Sequence, residues 1–138
     1  MGTHDKQRSH LIGQMMQSEA IQTASSAILP LQRLAPQLVS IIGEGGMYAL
    51  YARSLHKIAA DFPWLDSVAA AHSHELWLID LRKNFATQTT EQARQAAQAL
   101  LLSCTNILAT LIGETLTIDL LKSAWANELT SQDGADKE

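Results

Sequence analysis

The amino-acid sequence predicts an all-α protein, a bundle of four to five helices built from two similar αα-hairpins around a central helix. Three observations predict it. Leucine, isoleucine and alanine recur at spacings of three and four along most of the chain, as a helix with one buried face requires. The few prolines and glycines, three and seven in 138 residues, stand mostly where that pattern breaks and so mark helix ends. Two segments, LVSIIGEGGMYALYARSL from Leu38 and LATLIGETLTIDLLKSAW from Leu108, align without gaps at an offset of 70 residues.

Taken in order, Ile12, Met15, Met16, Ala20, Thr23 and Ala27 give only a weak helical stripe, so residues 1–27 are read as a polar, weakly helical arm. Residues 28–129 are the bundle domain. Pro30 suits the first turn of a helix, where a missing N–H costs nothing, and Leu31, Leu34, Leu38, Ile41 and Ile42 continue the stripe past Pro36, a point of kink or restart. Gly43-Glu44-Gly45-Gly46 ends this helix. Met47, Leu50, Tyr51, Leu55, Ile58 and Phe62 form the next, which stops at Phe62-Pro63-Trp64. Asp66 caps a helix that is apolar on two sides, through Val68, Leu76 and Ile79 and through Trp77, Leu81 and Phe85. Thr89 with Gln92 matches a capping box before the stripe Ala97, Leu100, Leu101, Cys104, Leu108, Leu111 and Ile112. After Gly113 a last helix carries Leu116, Leu120, Leu121, Ala124 and Trp125. Residues 130–138 are polar and read as a disordered tail.

In the aligned segments Gly43 and Glu44 match Gly113 and Glu114, between an apolar helix and a new amphipathic one. Glycine at such a position lets the chain take backbone angles that other residues avoid. A carboxylate just beyond it favours the positive end of the next helix. Gly43, Glu44, Gly113 and Glu114 are therefore expected as structural turns at two related corners.

Composition narrows the function. A net charge of −4 and a pI near 5.7 oppose a protein whose affinity would come from neutralising phosphates, so no nucleic acid is expected. Aromatic residues make up 5% of the chain, leaving the core to aliphatic packing. The single Cys104 sits among apolar neighbours, can form no internal disulfide, and fits a reducing compartment. No stretch approaches the roughly 20 apolar residues of a membrane span, and none resembles a signal peptide. The expectation is a cytoplasmic protein with no membrane partner.

No phosphate loop, nucleophile elbow or pair of histidines four apart is present, so no enzyme activity is expected. His72 and His74, two apart, point to opposite sides of a helix and cannot share an ion, and no metal or other cofactor is expected. Glu44 and Glu114 could bind a cation only if brought together. Their helix-capping role requires no ligand. Tyr48, Tyr51, Arg53, His56 and Lys57 form a basic, aromatic strip in an acidic chain. With Trp77 they are the expected interaction surface, since Tyr, Trp and Arg are enriched at protein contacts. The function expected from all this is a small regulatory or adaptor protein, of the bacterial signalling kind, acting as a homodimer and through a protein signalling partner. The alternatives are a histidine phosphotransfer-like module, with His56 as acceptor, and a helical bundle holding a small ligand or metal.

Overall fold

A computed structural model describes the backbone of residues 2–65 and 77–129 and the side chains of residues 6–65 and 78–129. Every regular element among them is helical. Helix α1 spans Gly2–Met16, and a 3₁₀ turn at Ser25–Ile28 leads into α2, Leu29–Ile58. A second 3₁₀ turn at Pro63–Leu65 follows. Then come α3 at Trp77–Ala86, α4 at Thr90–Ile112 and α5 at Glu114–Ala124. The helix expected from Asp66, with His72, His74 and Glu75, lies outside the described residues until Trp77, as does the tail.

The punctuation residues act as their chemistry dictates. Pro30 occupies the first turn of α2. Pro36, inside that helix, has no N–H to offer the Gln32 carbonyl, and both residues are exposed, where solvent can satisfy a backbone acceptor. Thr89 caps α4: its Oγ1 accepts from the Gln92 backbone N–H at 3.1 Å.

Gly43 interrupts α2 with φ 79° and ψ 167°, and Gly113 separates α4 from α5 with φ 96° and ψ 156°. These are the only positive-φ residues among those described, and they fall in a region of backbone space essentially reserved for glycine. The consequence at Gly43 is a reversal. A continuous helix would set Leu31 and Tyr51 about 30 Å apart, yet the Tyr51 hydroxyl donates to the Leu31 carbonyl at 3.0 Å. The second half of α2 therefore folds back along the first.

The core is mostly aliphatic, with Tyr51, Phe85 and Trp125 as its buried aromatic side chains, and draws on every described helix. Helix α4 is its centre, packing against α1, α2 and α5 and burying Ala93, Ala96, Ala97, Leu100, Leu101, Cys104, Thr105 and Leu108. That role gives α4 a composition the sequence reading did not credit. Its 23 residues, with a mean hydropathy of 1.4 over the most apolar window, are long and apolar enough to cross a membrane by length and composition alone. A core helix rich in alanine and leucine passes the same test, because both environments select against charge.

The N-terminal segment differs from the polar arm expected of residues 1–27. In α1, Leu11, Ile12, Met15 and Met16 are buried, and Ile21, Ala27 and Ile28 follow them into the core. Only four apolar positions share one face of α1, too few to give a strong periodic signal.

Replacing Gly43 or Gly113 with Ala is expected to cost about 1–3 kcal/mol each, since a Cβ strains those torsions even where space is open. Gly45→Ala, at an ordinary helical position with nothing within 4 Å, should be neutral or stabilising by up to about 1 kcal/mol. Urea unfolding of the three variants checks both statements.

Candidate interaction surface

Three contacts fix how the helices run relative to one another. Trp125, buried at the end of α5, donates its indole N–H to the Pro30 carbonyl at 3.0 Å, and Arg33 meets Glu128 at 3.1 Å. The start of α2 thus lies beside the end of α5. Ser54, in the second half of α2, lies within hydrogen-bonding reach of Cys104 in α4. From Pro30 to Gly43 is thirteen positions and from Trp125 back to Gly113 twelve, rises of about 20 and 18 Å. Gly43 and Gly113 thus each lie about 18–20 Å along a helix from the shared Pro30–Trp125 contact.

The corners have apolar surroundings. Among the described residues four large hydrophobic side chains are exposed: Ile41 at 42%, Ile79 at 51%, Leu111 at 66% and Leu116 at 42%. Three of them flank the corners. Ile41 and Leu111 each stand two residues before a corner glycine, and Leu116 stands three after one. Ile42, Met47 and Ile112 are half-buried beside them.

The two corner carboxylates do different work. Glu44 is exposed. Glu114 is gripped by Arg8 of α1 through two bonds, Nε to Oε1 at 2.8 Å and Nη2 to Oε2 at 3.0 Å. Arg8 Nη1 also donates to Thr105 Oγ1 at 3.2 Å and Asn106 Oδ1 at 2.6 Å. The Arg8 side chain is 4% exposed and that of Glu114 27%, so this is a forked, partly buried charge pair, with the carboxylate also at the first turn of α5. Among the described residues no group of three His, Cys, Asp or Glu side chains could hold a metal ion.

The strip expected as an interaction surface divides by helix face. Tyr51 is fully buried and Tyr48 half-buried against the core, while Arg53, His56 and Lys57 are exposed. Positions 48, 51, 55 and 58 share the inward face of α2 and positions 53, 56 and 57 the outward one, so the strip was never one surface. Tyr51 is a correction: its ring fills the core and its hydroxyl closes the α2 fold-back. His56 and Lys57 occupy the last turn of α2, where cations suit the helix C-terminus without a ligand. The side chain of Trp77 lies outside the described residues. Trp64 is half-buried and meets Phe85 edge to face, with ring centroids 5.4 Å apart.

Arg8 was not among the residues singled out from the sequence. Its signal was spacing: it stands three and four positions before Leu11 and Ile12, on the face that α1 buries. A basic residue in line with an apolar stripe is placed for a buried partner.

Comparison with family models, with curated proteins and with solved structures finds no match.

The buried polar seam predicts a pH dependence. Burial pushes the Cys104 thiol far above its ordinary value of 9.0, with the Ser54 hydrogen bond opposing the shift. Burial, then the nearby Cys104 charge, raises Tyr51 well above 10.0. Both groups are neutral in the fold, so their contribution is complete below the unfolded values and is lost as pH rises past them. Stability should fall by roughly 1 kcal/mol between pH 9 and pH 10 from Cys104 alone, measured by urea unfolding. In Cys104→Ala that part of the alkaline loss should disappear.

Proposed function

We propose that this chain is a small regulatory or adaptor protein that works by protein–protein contact, made of two related hairpins whose corners together form its contact end. The observation that supports this reading is that Ile41, Leu111 and Leu116, three of the four exposed large hydrophobic side chains among the described residues, each stand within three positions of a corner glycine. Exposed apolar side chains scattered singly need no explanation, but grouped ones usually mark an interface. The matching torsions of the two glycines, 70 positions apart, support a duplicated hairpin. A cytoplasmic signalling role, with a homodimer as the working form, is the setting proposed for it.

Light scattering tests the reading directly. The protein is expected to be a dimer at micromolar concentration, and the double variant Ile41→Asp, Leu111→Asp a monomer with unchanged helical circular dichroism, because both side chains already face water. A wild-type protein that is monomeric throughout the micromolar range overturns the homodimer. A dimer indifferent to the double substitution moves the contact away from the corners.

A further inference from the structure

We infer that helix α1 is a detachable strap, latched to the bundle by the Arg8–Glu114 pair and hinged at residues 17–20, so that it opens without unfolding the rest. This inference stands on the latch and hinge alone and does not need the self-association proposed above.

The latch is a single polar cluster. Arg8 reaches from α1 across to both helices it covers, bonding Thr105 and Asn106 of α4 and the Glu114 carboxylate of α5. Around it the strap's buried apolar side chains, Leu11, Ile12, Met15 and Met16, all lie in its last six residues, and among the described residues before Leu11 only Arg8 is buried. Helix α4 by comparison buries a residue in almost every turn. A half-helix with no apolar side chain in the core sits at the low end of local stability. The docking of that half then depends on the Arg8 cluster, and removing Arg8 leaves Glu114, with its side chain 27% exposed, without its partner charge.

The hinge is marked by a different observation. Ser18 is 4% exposed, and its hydroxyl oxygen has no hydrogen-bond partner among the described residues. A desolvated, unmatched hydroxyl penalises the closed form and is relieved when water reaches it. Just beyond, the chain is fixed again. Ile21 is fully buried, and Arg94 Nη2 of α4 donates to the Ile21 carbonyl. Between Met16 and Ile21, Gln17, Glu19 and Ala20 are exposed and Ser18 alone is buried, so no apolar side chain of the segment itself packs in the core. Opening would uncover the face of α4 and α5 beside the Gly113 corner, where Leu111 and Leu116 already stand exposed.

Amide hydrogen exchange on the full chain, followed by mass spectrometry, tests this. In the wild type, peptides from residues 2–16 should exchange at least about tenfold faster than peptides from α4. Arg8→Met should speed α1 exchange about tenfold further and leave α4 and α2 unchanged. Ser18→Ala should slow α1 exchange. Equal protection of α1 and α4 in the wild type, or a joint rise in both on Arg8→Met, overturns the strap, because α1 would then belong to one cooperative unit. Ser18→Ala that leaves α1 exchange unchanged or raises it overturns the hinge.

Discussion

Two backbone positions with torsions open only to glycine determine the shape of this protein. At Gly43 and Gly113 the chain leaves one helix with φ near +80° to +96° and enters the next. An L side chain in that region clashes with its own backbone. Without the first corner, Tyr51 could not reach the Leu31 carbonyl. Without the second, Glu114 would not sit at a helix start within reach of Arg8. The aliphatic core drives collapse, but greasy stripes pack equally well in many arrangements. The corners select one.

Buried polar contacts then fix the register that leucine and alanine leave loose. The Tyr51 hydroxyl closes the two halves of α2, the Trp125 indole ties α5 to the start of α2, and Ser54 meets Cys104 across to α4. Each of the first two donates to a carbonyl in the opening turns of α2, at Leu31 and Pro30. Each such bond is worth only about 1 kcal/mol net. Left unmade in the dry interior it would cost more than that, which is why these bonds discriminate between alignments. Arg8 extends the same logic to α1, with charge in place of a neutral donor.

Much of this was legible in the sequence because it rests on local chemistry. The Thr89 cap, the Pro30 start and the glycine breaks are each decided within a few residues, and α2, α4 and α5 begin or break where those signals put them. The α4 stripe from Ala97 to Leu108 was likewise plain. What escaped depends on contacts between distant segments. Nothing near Arg8 announces Glu114, 106 positions away, so α1 read as a polar arm. Tyr51 looked like interface chemistry because residue type was weighed ahead of helix face, although its spacing with Leu55 and Ile58 already placed it inward. Leu111, counted into a buried stripe, is the most exposed of the four large hydrophobics, since it stands two residues before the Gly113 corner, where α4 ends.

The central claim is that α2 turns back at Gly43, and a distance measurement tests it most directly. Spin labels at Gln32 and His56, both exposed, are 24 positions apart, while buried Cys104 stays out of reach of the labelling reagent. Pulsed dipolar spectroscopy should return a separation well short of the roughly 36 Å that an uninterrupted helix imposes. A distribution centred at that longer value would mean a straight rod through Gly43, and the corner would be contradicted.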